Sequence, residues 1–252
     1  MEINKLNVVI TGGASGLGFA CASLLAKHHA SIAIIDTDAD KINQAKQSLN
    51  CLGFVADICD SDAIQKTVNL IEKKLGQISV CINCAGVESG KRIVGKQGPQ
   101  LLEEFSQVIN INLCGTFNVM RIVADKMIRN HPSDKTHERG VIINTASIAA
   151  FEGQIGQCAY AASKAGVCGL TLPAAREFSQ FGIRVMTIAP GLMDTPMMRG
   201  LSDKVQDSLK ETLLFPKCFG RPKEFAKLVL EIITNPMLNG GIVRLDGGLR
   251  LQ

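Results

Sequence analysis

Tyrosine is nearly absent: Tyr160 is the only one among 252 residues, against ten phenylalanines. Histidine is scarce as well, with four in the chain. His28 and His29 close the first helical pattern, where a cationic ring suits the C-terminal dipole, and His131 and His137 fall in the polar stretch NHPSDKTHERG. No apolar run approaches the ~20 residues of a membrane span, so no membrane partner is expected. Excess charge of one sign is small, +4, and is spread without long basic runs, which argues against a nucleic-acid or membrane-surface platform. The opening MEINKLNVVITGG passes almost at once into a strand-like run. It shows neither the charged and apolar regions of a signal peptide nor an Arg-rich transit segment, and the expected location is cytoplasmic.

Cysteine is not scarce, but its pattern excludes much. Nine is an odd number, and cysteines inside apolar runs (Cys21, Cys114, Cys168) read as buried, reduced thiols rather than a disulfide framework. Cys81 and Cys84 make one C-x-x-C at a strand end, where positions i and i+3 point to opposite faces. No second Cys/His pair follows it, so no metal site is expected.

What is there is a rhythm. LNVVIT, ASIAIID, LGFVAD, ISVCINCAG, GVIINTAS, GIRVMTIAP and GIVRLDGG read as seven strands, mostly continuous in hydrophobicity as parallel strands covered on both faces are. Helical patterns fall between them at 16–28, 39–48, 61–75, 100–130 (two helices broken near Asn112), 157–180 and 222–235. Such alternation predicts an α/β fold, a doubly wound parallel seven-stranded sheet of the Rossmann-like type, in a single domain over 1–252. Two irregular segments, 87–99 and 191–220, interrupt the rhythm at the edge where ligands of such sheets bind.

TGGASGLG, between the first strand and first helix, supplies Gly12, Ser15, Gly16, Leu17 and Gly18. Its glycines permit a tight turn and let a pyrophosphate approach the helix N-terminus. Asp36 ends the second strand near the ~20-residue offset of a carboxylate that accepts both adenosine-ribose hydroxyls. That carboxylate repels a 2′-phosphate, and the next residue is Thr37 rather than an arginine, so the expected cofactor is NAD. Asp57, followed by Ile58, ends the third strand; it either accepts from the adenine amino group or is a turn residue before Ser61 caps the next helix. NCAG (Asn83, Cys84, Ala85, Gly86) makes a small-residue turn on which the adenosine and ribose can lie.

Tyr160 and Lys164 are four apart on one helical pattern and so share a face. A phenol titrates near ~10, and acting as a base at neutral pH requires roughly 4 kcal/mol of preferential stabilisation of the phenolate. An exposed ion pair gives about 1 kcal/mol or less, so the lysine must act in a desolvated site, helped by a second positive charge such as oxidised nicotinamide. Ser147, at the end of the fifth strand, can donate to the same substrate oxygen.

Taken together, TGGASGLG, Asp57, NCAG, Asn112 in NLCG, Ser147, Tyr160 and Lys164 in YAASK and the Pro190–Gly191 turn resemble the short-chain dehydrogenase/reductase family in order and spacing. The resemblance implies strand order 3-2-1-4-5-6-7 and a tetrad. In it Tyr160 is the acid/base, Ser147 polarises the substrate, Lys164 binds ribose and lowers the tyrosine pKa, and Asn112 holds a relay water. It also implies cofactor contacts from Pro190, Gly191, Met193 and Thr195, with Thr195 on the carboxamide, and a homotetramer paired through the helices 112–130 and 157–180. FEGQIGQ before the tyrosine and TLP inside its helix are similar to the type II 3-hydroxyacyl-CoA dehydrogenase branch, which oxidises hydroxyacyl-CoA and some steroid alcohols with NAD in fatty acid metabolism. The shorter lead-in and the different 87–99 loop depart from that branch.

The expected substrate is therefore an acyl-CoA thioester, with Gln154 and Gln157 near the thioester. Leu192, Met197, Met198, Leu214 and Phe215 would take the acyl chain, and Lys91, Arg92 and Lys96 either meet CoA phosphates or are solvated. The other readings are a 3-oxoacyl-acyl-carrier-protein reductase, a steroid or secondary-alcohol dehydrogenase, and a non-catalytic dinucleotide-binding scaffold.

Overall fold

The computed structural model describes all residues but Ser89, Asp134, Lys135, Leu201 and Gln252, and only the backbone of Met197 and Asp203. Seven parallel strands form one sheet: β1 Asn7–Thr11, β2 Ser31–Asp36, β3 Leu52–Val55, β4 Val80–Asn83, β5 Gly140–Thr145, β6 Ile183–Pro190 and β7 Ile242–Leu245. Their order is β3-β2-β1-β4-β5-β6-β7, the order the resemblance implies. Helices α1 Gly16–Lys27, α2 Ala39–Leu49, α3 Ser61–Leu75, α4 Leu102–Ile109, α5 Thr116–Met127, α6 Cys158–Ser179 and α9 Pro222–Thr234 cover it. Between α6 and α9 lie two further helices, α7 Pro196–Arg199 and α8 Asp203–Glu211.

The continuous apolar runs are explained by the two buried faces. Val8, Ile10, Ile32 and Ile34 point to one face and pack with Leu25, Phe225 and Val229. Their neighbours Val9, Ala33 and Ile35 point to the other, against Ile64, Val68, Val119 and Val123. The helices match this demand: α3 buries Ile64, Thr67, Val68 and Ile71, the 3.6-residue stripe of an amphipathic helix.

Local detail differs from expectation at three points. The cap of α3 is Asp60, whose carboxylate accepts from Asp62 N at 3.0 Å and Ala63 N at 2.9 Å. Ser61 is already the first helical residue, because a carboxylate one place earlier reaches both free amides. The 100–130 region is not broken: α4 and α5 are joined through a π-helical stretch, Asn110–Gly115, that keeps the backbone hydrogen-bonded through Asn112. Not all the thiols are buried: all nine cysteines are free, and Cys114, Cys158 and Cys218 are exposed. Cys81 and Cys84 do face opposite sides, packing with different core clusters. No helix of the described residues is long and apolar enough to cross a membrane.

Register brings the functional ends together. Thr11 stands beside Asn83, Asn83 beside Asn144, and Thr145 beside Ile188, so β1, β4, β5 and β6 release their chains at one edge. The two irregular segments emerge there. Residues 87–99 include a small antiparallel ribbon, Val94–Gly95 with Gly98–Pro99, and 191–220 contain α7 and α8.

Candidate active site

A cavity of about 450 Å³ opens beyond this edge, and both halves of the sequence motif set line it. On one side are Gly12, Ser15, Gly16, Leu17 and Gly18, with Asp36, Asp57, Ile58, Cys84, Ala85 and Gly86. On the other are Ser147, Gln154, Gln157, Tyr160 and Lys164, with Pro190, Gly191, Met193 and Thr195.

The glycine loop is cut to fit a ligand's approach and its own packing. A Cβ on Gly12 would lie 2.8 Å from Ala85 N, and Gly12 has φ +61°; a Cβ on Gly18 would lie 2.3 Å from Gly12 O. The loop therefore lies backbone against backbone and presents the N-terminus of α1 to the cavity, which is a cradle for an anionic pyrophosphate. Asp36 at the end of β2 accepts from Ala14 N at 3.2 Å and from Thr37 N at 2.8 Å, which fixes its carboxylate at the rim of that cradle. The residues present thus fit a dinucleotide. Asp57 is both a turn residue, accepting from Cys59 N at 2.9 Å, and a lining residue.

Two of the expected residues are inside the protein instead. The Asn83 side chain donates to Asn144 Oδ1 at 2.9 Å in the sheet interior, because the alternation of β4 turns it away from the cavity. Of the NCAG turn, Cys84, Ala85 and Gly86 line the space. Asn112 is fully buried, and its amide is committed: Oδ1 accepts from Val87 N at 2.8 Å, while Nδ2 donates to Val87 O at 2.8 Å and Ser163 Oγ at 3.0 Å. It pins the start of the 87–99 segment. Gly86 is wedged beside it, since a Cβ there would lie 3.0 Å from Asn112 Oδ1 and 3.4 Å from Lys164 Nζ.

Lys164 is 5% exposed and donates to Thr145 O at 2.9 Å; its Nζ is 5.7 Å from the Tyr160 ring centroid. Burial pushes the lysine down to about 8, against the pull of Cys84, Cys168 and Glu88. Burial, with the Glu88 charge, pushes the Tyr160 phenol up to about 12, and a hydrogen bond with Ser147 works the other way. The expected lowering by lysine is therefore not a property of the protein alone. Desolvation outweighs an ammonium that is aimed at a backbone carbonyl rather than at the phenol. As it stands the pair holds the phenol as an acid, next to a Ser147 hydroxyl that accepts from Ala149 N at 3.1 Å.

The 151–157 loop is anchored before it reaches the cavity. Arg244 of β7 forks onto Glu152 at 2.9 and 3.1 Å and donates to Asp246 at 2.6 Å. Gln157 then accepts from Gln154 N at 3.0 Å and donates to Glu88 Oε1 at 2.9 Å. Glu88, Ser163 and Leu251 had no signal in the sequence, because each depends on a loop or tail whose path no periodicity records.

The acyl-chain expectation needs correction. Leu192 and Met198 line the cavity, joined by Leu209 and Leu251. Leu214 and Phe215 are 62% and 82% exposed and do not line the cavity. The side chain of Met197 lies outside the described residues. Lys91 is taken up by an ion pair with Glu104, while Arg92 and Lys96 are exposed.

The family model for short chain dehydrogenase matches residues 6–206. The 3-hydroxyacyl-CoA dehydrogenase type-2 of Bos taurus is 47% identical over 255 residues, covering 100% of this chain and 97% of that protein. Its Homo sapiens counterpart is 46% identical with the same coverage. The crystal structure of 3-hydroxyacyl-CoA dehydrogenase type-2 from Mycobacterium avium superposes with a TM-score of 0.93 at 37% identity, covering 98% of this chain and 96% of that one.

Proposed function

Because the chain belongs to the short-chain dehydrogenase/reductase family, a family of oxidoreductases that use a nicotinamide dinucleotide, we propose that it interconverts 3-hydroxyacyl-CoA and 3-oxoacyl-CoA thioesters with NAD. The observation that carries the reading is one cavity with Tyr160, Ser147 and Lys164 on one wall and the glycine cradle on the other, in a chain 47% identical from end to end to a protein of that name.

Bound NAD supplies the acceptor or donor of hydride. The chain's own residues do the rest. Tyr160 keeps its proton at neutral pH and gives it to the carbonyl oxygen in reduction, where Ser147 donates a second hydrogen bond. In oxidation the phenol must lose that proton, which requires a positive charge beyond Lys164, of the kind an oxidised nicotinamide ring brings. Lys164 holds the cofactor ribose, Thr195 the carboxamide, and Asn112 acts by keeping Val87, and with it the floor of the cavity, in place. Asp36 would favour NAD over NADP because its carboxylate, at the rim of the cradle and followed by Thr37 rather than an arginine, would repel a 2′-phosphate. Leu192, Met198, Leu209 and Leu251 receive the acyl chain, and 191–220 forms the lid.

We infer a homotetramer on the same footing. Ala165, Gly169 and Leu172 are exposed along α6, and Phe117 is exposed on α5, a small and apolar face suited to close helix pairing. Sedimentation at micromolar concentration tests it, and a stable monomer would overturn it.

The activity is tested by following NADH absorbance with acetoacetyl-CoA, beside NADPH and an acyl-carrier-protein substrate. Preference for NADH and the CoA thioester is expected. Preference for NADPH with the carrier protein would establish the reductase reading instead, and turnover of steroid or simple secondary alcohols alone would establish the alcohol dehydrogenase.

A further inference from the structure

The cavity holds one carboxylate that neither the proton transfer nor the cofactor contacts use. Glu88 follows the NCAG turn and lines the cavity together with Tyr160 and Ser147. It is held in place by the Gln157 amide at 2.9 Å, and Gln157 is in turn held by Gln154 N at 3.0 Å. Among the described residues no salt bridge involves Glu88, and Lys164 meets its charge only at longer range. Its field reaches the reacting groups, acting on both the Tyr160 phenol and the Lys164 ammonium.

The cavity wall is divided. Glu88, Gln154 and Gln157 form one hydrogen-bonded polar group at the start of α6. Leu192 and Leu251 belong to a separate apolar cluster with Ile148, Leu213 and Leu249. A 3-oxoacyl molecule whose C3 oxygen lies at Tyr160 and Ser147, and whose alkyl end lies on the leucines, has C1 one methylene away from the reacting carbon, on the polar side. This rests on the reading of a 3-oxoacyl substrate given above. Lys164, with its positive charge, would by itself draw in a substrate whose C1 is a free carboxylate. A fixed carboxylate on the polar wall cancels that attraction.

We propose that Glu88 is a specificity-determining residue that excludes free 3-hydroxy and 3-oxo acids, so that the site accepts the same carbon skeleton only when C1 is uncharged, as in a thioester or an ester. The neutral amide of Gln157 carries a second N–H with which to donate to an uncharged C1 carbonyl. Like charges across a partly solvated site repel enough to change binding by about fivefold to tenfold.

The experiment compares acetoacetate with ethyl acetoacetate, which share the reacting ketone and differ in the charge at C1. The ratio of kcat/KM (ester over acid) is measured with NADH for the parent, Glu88→Gln and Glu88→Asp, and the same pairs are titrated by calorimetry with oxidised cofactor present, with which the ketones do not react. The parent is expected to prefer the ester, Glu88→Gln to lower that ratio by about fivefold or more, and Glu88→Asp to keep most of it. In the parent the ratio is also expected to fall as salt screens the exposed carboxylate, a measurement that needs no variant. An unchanged ratio in Glu88→Gln, or a parent ratio indifferent to salt, would overturn the proposal. If the ester is reduced while acetoacetyl-CoA is not, the thioester reading fails and the Glu88 ratio is still read.

Discussion

Lys164 and Tyr160 share one face of α6: Nζ lies 5.7 Å from the ring centroid while it donates its hydrogen bond to Thr145 O at 2.9 Å. On the proposed reading, the phenol oxygen is the group among the described cavity residues that moves the substrate proton. Tyr160→Phe is expected to cut turnover by about a thousandfold or more while cofactor affinity stays within about threefold of the parent. Turnover within tenfold of the parent, measured by NADH absorbance, would remove Tyr160 from the acid/base role.

Lys164 makes stability depend on pH with a definite sign. An unfolded lysine titrates near ~10.4, and the folded one is pushed down to about 8. Between those values the unfolded chain holds more protons, so stability rises with pH. Lys164→Met is therefore expected to stabilise the protein by roughly 1–3 kcal/mol at pH 7, the gain fading toward pH 10.5, while activity falls at least about tenfold. Tyr160, up at about 12, acts oppositely above pH 10: the folded state keeps a proton that the unfolded state loses, and stability falls. Urea titrations at pH 7, pH 10 and about pH 11.5 check both slopes, and an equal effect of Lys164→Met at pH 7 and pH 10 would contradict this account.

Cofactor choice is expected to follow Asp36. Asp36→Ser should weaken NAD binding about tenfold and narrow the preference over NADP by about tenfold or more, because the 2′-phosphate no longer meets a carboxylate. Fluorescence titration of the two reduced cofactors reads this directly.

Gly86→Ala tests the wedge between Asn112 and Lys164. Its Cβ would lie 3.0 Å from an Asn112 oxygen already held by Val87 N, so the asparagine gives way only by straining a partly buried hydrogen bond. A loss of about 1–3 kcal/mol in stability and at least about tenfold in turnover is expected. Unaltered denaturation and kinetics would show that the wedge is looser than this.

The fold was legible because a parallel sheet covered on both faces writes itself as unbroken apolar runs, as in VVIT of β1 and IAIID of β2. The cofactor cradle was legible for a different reason: Gly12 and Gly18 answer to backbone contacts that no other residue permits. Side-chain direction at strand ends was harder. Asn83 and Cys84 are adjacent in the sequence, yet one is in the sheet interior and the other lines the cavity. Leu214 and Leu251 show the same limit at longer range, since hydrophobicity alone does not say which leucine of an irregular segment turns inward. The pKa of Tyr160 was not legible either. It depends on the balance between burial and a lysine's aim, and the sequence gives only the spacing.

The π-helical stretch Asn110–Gly115 has a consequence for how the chain tolerates changes in length. A π turn accommodates one residue more than an α turn of the same span. Deleting one residue from 110–115 would let α4 and α5 merge into a regular α-helix, with every backbone amide still paired. Removing Ile111 should thus yield a folded protein whose Asn112 no longer meets Val87, leaving the 87–99 segment unfastened. The extra residue acts as a register shim, and its loss would be felt in the cavity rather than in the helix.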